Sequence, residues 1–326
     1  MNVIARPSSA FEHPAANKVR LAIGDYDRTR PLIDGRVKIE GVNLEVNTAW
    51  IGEFCHRPVY EEYDAAEMSL SWYVMAHMRK EPVVALPIFV LRMPVLSYVF
   101  VRKDSNITKP SDLIGKRIGT ILYRITVNLW LRGIFQQYYG LSPNDTRWVI
   151  TEETEGAGYV IPDGITYERR TGASPFDLLR DGSVDAVYSP ELPEGFDPGT
   201  SDIRRLFPDA QTEMRSFVQR TGINPMTHTV VVSESLATQR PQLATSLTDA
   251  FIRSQDICDR FWQADPKHLS FPDAVHFIEQ QREAYGSKPY QMGLEPNRKA
   301  LEAFVRYSHE QGYIASIPDV ERLFWR

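Results

Sequence analysis

The sequence predicts a two-lobed α/β protein with a ligand cleft between its lobes. Three observations carry this expectation. The chain has 326 residues, enough for about two domains of ordinary size. From Val19 onward, short apolar runs alternate with amphipathic stretches, the pattern of sheets joined by crossover helices. That rhythm restarts once, near residue 97, and then gives way to a largely helical tail.

In the first lobe the run at 19–24 predicts a strand, and a short helix begins within 27–33. Strands are expected over 42–46, 66–70 and 83–90, with helical segments at 58–63 and 73–79. The stretch 83–101 is mostly apolar but carries Pro87, Arg92 and Pro94 near its middle, a poor composition for a lipid-facing helix. Its Val, Ile, Phe and Tyr content predicts instead two buried strands joined by a turn around Arg92. A strand at 97–102 carries the chain into the second lobe. There a helical turn at 111–115, a strand at 117–120 and a helix at 126–139 closed by Gly140 precede strands at 148–150 and 186–188. A helix at 176–180, ending at Gly182, lies between those strands. The segment 221–228 carries the chain back to a strand at 229–233, and helices are expected over 241–261, 274–284 and 297–311. The lobes so divided are 17–98 with 227–326, and 99–226.

Composition narrows the function. Hydrophobic residues at 43% and charged residues at 24% describe a folded globular chain and argue against disorder. A net charge of -5 without a basic run leaves no electrostatic footprint for nucleic acid or an anionic membrane. Cys55 and Cys258 are far apart and in no ligand spacing, so buried free thiols are expected, not a disulfide or zinc site. The amino-terminal stretch, with Pro7, Ser8, Ser9, His13 and Pro14, has no apolar core of a secretion signal, which points to a cytosolic location. No phosphate-binding loop, G-x-G-x-x-G, G-x-S-x-G or H-E-x-x-H motif occurs.

Ligands of open α/β sheets bind beyond the carboxyl ends of strands, and that rule selects the candidate residues. Leaving the first strand, GDYDRTR places Arg28 and Arg30 beside a helix start, where a guanidinium fork can grip a carboxylate; the alternative is a surface turn paired to Asp25, Asp27 and Asp34. Ser69 and Ser71 follow a strand and precede a helix, as helix caps or as cleft donors. Arg92, alone in an apolar run, needs an anionic partner if buried, either a protein carboxylate or a ligand. Thr126 and Asn128 sit in the first turn of the main second-lobe helix, an anion cradle facing the first lobe. His228 is the histidine that falls on a lobe junction, either structural or a proton carrier.

The stretches at 24–45, 67–71, 100–119, 123–135 (YRITVNLWLRGIF), 220–232 (RTGINPMTHTVVV) and 293–304, in this order, resemble the 4,5-dihydroxyphthalate decarboxylase family. The resemblance implies a type 2 periplasmic-binding-protein-like fold. It also implies an enzyme that removes one carboxylate from a hydroxylated aromatic diacid, giving a catecholic monoacid and carbon dioxide. On this basis His228, Arg92 and Tyr26 are the candidate catalytic residues. Arg28, Arg30, Ser69, Ser71, Tyr123, Thr126, Asn128 and Asn224 are the candidate substrate-binding residues.

No organic cofactor is expected, and no metal site; Asp25, Asp27, Glu67 and His228 could hold a divalent ion, but no spacing compels it. The expected partner is a small aromatic carboxylate, with a homo-oligomer possible. A non-catalytic carboxylate-binding protein, for transport or sensing, is the alternative, as is another lyase acting on an aromatic acid.

Overall fold

The computed structural model describes residues 17–49, 59–156, 159–264 and 266–325. Cys55, Pro58 of the expected 58–63 helical segment and the amino-terminal stretch therefore lie outside the described residues. The first lobe begins with β1 (Lys18–Ile23), α1 (Arg30–Ile33), β2 (Asn43–Thr48), β3 (Ala65–Ser69), α2 (Leu70–Met78) and β4 (Val83–Arg92). The chain then supplies β5 (Val99–Arg102), β6 (Arg117–Thr120), α3 (Thr126–Tyr139), β7 (Arg147–Ile150) and β8 (Tyr167–Arg169) to the second lobe. That lobe continues with α4 (Pro175–Arg180), β9 (Ala186–Tyr188), β10 (Ile203–Arg205) and α5 (Ala210–Thr221). The return strand is β11 (Met226–Ser233), followed by α6 (Glu234–Gln239), α7 (Pro241–Ala264), α8 (Ala274–Tyr285) and α9 (Arg298–Glu310).

Two sheets result, ordered β2-β1-β3-β11-β4 and β10-β5-β9-β6-β7-β8. In the first, β1 runs parallel to β2 and β3, whereas β11 is antiparallel to both β3 and β4. The start of β11 therefore lies at the carboxyl edge of β3 and β4, with His228 opposite Ser69 and Met226 opposite Arg92. All five residues of β3 are buried, as befits a strand covered on both faces.

One apolar core runs from the first lobe through α2 and β4 into α3 and the tail helix α9. Gly133 of α3 allows that contact, because a Cβ there would lie 2.3 Å from the Tyr307 ring. Gln311 then locks the seam, its carbonyl accepting from Arg132 at 2.7 Å and its amide donating to the Leu129 carbonyl at 3.0 Å.

The element order follows the expected one with a few differences. β4 runs on through Arg92 because Met226 pairs with it, so the turn lies at 94–98 and not around the arginine. The segment near 58–63 forms only a short 3-10 turn, Val59–Glu61. α5, β8 and β10 were not expected, and α6 is a separate short helix ahead of α7. Among the described residues no helix is long and apolar enough to cross a membrane.

Candidate active site

The site is built on the carboxyl edge of the first sheet. Glu67 and Ser69 point to the same side of β3, two residues apart. His228 stands opposite Ser69 and is thus a diagonal neighbour of Glu67. The Nδ1 of His228 lies 2.7 Å from Oε1 of Glu67, a carboxylate with no solvent exposure. The loop after β1 closes over the same group: the Gly24 N–H donates to Oε2 at 2.9 Å, and the Tyr26 hydroxyl donates to Oε1 at 2.9 Å. Burial, reinforced by the Glu67 charge, pushes the Tyr26 phenol far above its ordinary value, so it remains a donor and is no base.

Two buried guanidinium groups stand beside this cluster. Arg28 donates through Nε to the Val90 carbonyl and through Nη1 to Asp27 at 3.2 Å. Its plane lies between the rings of Tyr26 and Tyr290, 4.2 Å from each centroid. Arg92 is 8% exposed, and its hydrogen bonds go to the carbonyls of Asn224 (2.9 Å) and Gln291 (3.2 Å) and to Oδ1 of Asn297. Each of these is a neutral oxygen, and its Nε has no partner. Burial, aided by the nearby positive charge of Arg28, draws Arg92 down to about 10, which still leaves it cationic at neutral pH. It lines a cavity of about 330 Å³ with Ser97, Gln211, Met214, Asn224 and Tyr290. An adjoining cavity of about 270 Å³ takes in Arg28 and Asp27, with Tyr290 bordering both.

The second lobe meets this edge at Thr126. Its hydroxyl is 2.6 Å from that of Ser69 and accepts from the Ser71 N–H at 3.1 Å, while the Ser71 hydroxyl donates to the Arg124 carbonyl at 2.9 Å. Helix start and strand end are thus stitched together by hydroxyls. Tyr26, Arg28, Ser69, Ser71, Arg92, Thr126, Asn224 and His228 all come to this edge.

Three expected residues do not. Arg30 is exposed and forms a two-point pair with Asp25 at 2.7 and 2.9 Å, the surface-turn alternative. Tyr123 turns its ring onto Arg132, 3.8 Å from its centroid, and against Trp148 in the second-lobe core. Asn128 points back into the same lobe, donating to Thr120 Oγ1 at 2.7 Å and to the Leu122 carbonyl at 3.0 Å, where it braces the loop ahead of α3. Tyr123 precedes the helix and packs toward Tyr313 of the tail, 6.2 Å between ring centroids, while the first helical turn presents Thr126 and not Asn128 to Ser69 and Ser71.

Sequence reasoning missed Glu67 as the hub. The signal was available: a lone acid within the apolar strand AAEMS poses the same burial problem that drew notice to Arg92. Tyr290 and Asn297 arrive from the tail, and no local pattern marks them. Among the described residues, no three His, Cys, Asp or Glu side chains gather as a metal site. Asp25 is engaged by Arg30, and Asp27 by Arg28 and the Trp262 indole.

A ligand site at the seam of two α/β lobes defines the type 2 periplasmic-binding-protein-like class. The periplasmic aliphatic sulphonate-binding protein SsuA of Escherichia coli shares this fold, with a TM-score of 0.54 at 13% identity over 95% of this chain and 98% of that one. Residues 64–166 match the family model described as NMT1/THI5 like. The chain is 32% identical to a 4,5-dihydroxyphthalate decarboxylase of Comamonas testosteroni over 90% of its own length and 92% of that protein's. It is 34% identical to a 4,5-dihydroxyphthalate decarboxylase of Pseudomonas putida, covering 60% of this chain and 80% of that one. The chain belongs to the 4,5-dihydroxyphthalate decarboxylase family, as the sequence motifs implied.

Proposed function

We propose that the protein is a carboxy-lyase that removes one carboxylate from a hydroxylated aromatic diacid of the 4,5-dihydroxyphthalate type, with no cofactor. The observation that carries this reading is Arg92: a buried cation at the edge of a cavity, bonded only to neutral oxygens, is a site for an organic anion. Arg28, stacked and buried nearby, offers a second guanidinium for the carboxylate that stays. Ser69, Ser71 and Thr126 bond to one another and to the Arg124 carbonyl at the lobe seam, so a ligand would have to exchange with those bonds; Asn224 borders the cavity with its amide donating to the Pro289 carbonyl.

The chemistry asks little else of the protein. A ring hydroxyl para to the departing carboxylate raises electron density on the carbon that bears it. His228 delivers a proton to that carbon, the bond to the carboxyl carbon breaks, and its electron pair restores the aromatic ring as carbon dioxide leaves. Solvent then reprotonates His228. General-acid delivery of this kind contributes about 10²–10⁴-fold. Holding the ring against His228 and excluding water supply the rest.

Incubation with a panel of hydroxylated aromatic mono- and diacids, reading carbon dioxide and the ultraviolet spectrum, tests the proposal. Release from an ortho-diacid bearing a para hydroxyl supports it; binding with no spectral change and no carbon dioxide favours a carboxylate receptor. Undiminished turnover after dialysis against a chelator would support cofactor independence. A cytosolic location and a homo-oligomer belong to the same proposal, tested by cell fractionation and by light scattering.

A further inference from the structure

We infer that Glu67 is a positioning residue that fixes the tautomer and orientation of His228. Only the kinetic arm of its test rests on the decarboxylase reading. Glu67 is fully buried, accepts from a backbone N–H and a phenol, and has an imidazole nitrogen within hydrogen-bond distance. Gly24 and Tyr26 already donate to its two oxygens, so Glu67 acts as an acceptor on both, and the His228 Nδ1 facing Oε1 at 2.7 Å completes the set as a third donor. Nε2 is then the ring nitrogen that gains and loses a proton.

The surroundings hold this arrangement from several sides. Pairing of β3 with β11 sets the distance between the two side chains. Tyr26 can reach Glu67 only because residue 24 is a glycine; a Cβ there would sit 2.5 Å from the Tyr26 ring. The Gly24 N–H is a fixed donor, and this makes the amide replacement informative. In Glu67→Gln the amide oxygen is expected to face the Gly24 N–H, which cannot reorient or accept; the NH₂ group then faces both His228 Nδ1 and the Tyr26 hydroxyl, and that hydroxyl can rotate to accept from it. The amide then donates where the carboxylate accepted, and the imidazole must exchange tautomers.

The test uses the full chain labelled with ¹⁵N-histidine. At a pH alkaline enough for the ring to be neutral, the parent is expected to carry the His228 hydrogen on Nδ1 and Glu67→Gln to carry it on Nε2; the proton delivered in turnover is the second one, gained at Nε2. With a turned-over aromatic diacid, Glu67→Gln is expected to lower kcat about 10–100-fold with KM within about twofold, as loss of an orienting partner does. Tyr26→Phe keeps the carboxylate, so the Nδ1–H tautomer should persist. A parent already protonated on Nε2 overturns the inference even if Glu67→Gln fails to fold. An unchanged tautomer, or a rise in KM with kcat intact, also overturns it. If the parent decarboxylates nothing, the decarboxylase reading fails while the tautomer measurement still decides the role of Glu67.

Discussion

Replacing Arg92 by Met removes the charge but keeps most of the apolar stem. A charge-assisted hydrogen bond to a ligand carboxylate contributes about 1.5–3 kcal/mol. Since each 1.4 kcal/mol is tenfold in affinity, the diacid should bind about 10–100-fold more weakly. The same change silences the charge-assisted donors to Asn224, Gln291 and Asn297, at about 1.5–3 kcal/mol each, partly offset by relief from burying a cation. A lowered melting temperature is therefore expected beside the lost affinity, and the two must be separated. Calorimetric titration well below the melting transition does so, with catechol, which lacks carboxylates, as the control ligand. Diacid affinity should fall while catechol affinity holds. Equal diacid affinity in parent and variant would remove Arg92 from the site.

Two further substitutions probe the scaffold. Gly133→Ala should destabilise by roughly 1–3 kcal/mol, because its methyl would overlap the Tyr307 ring at the junction of α3 and α9; thermal unfolding reads this, and an unchanged midpoint would refute the close packing. Asp259→Asn addresses a carboxyl whose pKa burial raises, with Asp256 and Asp27 adding to the effect. A raised folded-state pKa contributes stability that is present at low pH and lost as pH climbs through that value. Asp259→Asn should therefore melt higher than the parent near pH 7.5 and equal to it near pH 4. The amide also gives Gln255 Oε1, now without a partner, a donor to meet. A parent more stable than the variant at pH 7.5 would refute this account of Asp259.

Much of the fold was legible because its strongest signals are local. α3 spans Thr126–Tyr139, as the periodic run and its closing glycine predicted, and Gly140 adopts the left-handed conformation at φ 69°. β8 and β10 escaped notice because YER and IRR are short, charged edge strands, stabilised by a neighbour and not by their own pattern. α5 was missed although Asp209 caps it, Gly222 ends it, and Met214, Phe217, Val218 and Thr221 mark a buried stripe.

The site was legible where a residue type conflicts with its surroundings, as for Arg92 in an apolar strand. It was not legible where the outcome depends on which way a side chain turns. Arg28 and Arg30 lie two apart in one loop, yet one is buried between tyrosines and the other pairs on the surface. Thr126 and Asn128 share a helical turn, but only Thr126 meets Ser69 and Ser71. The tail contributes Tyr290 through tertiary contact alone. Cys258 is buried and free as expected, its thiol pushed up to about 12 by burial and by Asp27.

Carbon dioxide release by His228→Ala, read beside its affinity for the same diacid, reaches the chemistry most directly. With His228 as the proton donor, turnover should fall about 10²–10⁴-fold while the dissociation constant stays within a few-fold of the parent's. Release at the parental rate would place the acid elsewhere and leave the His228–Glu67 pair a purely structural contact.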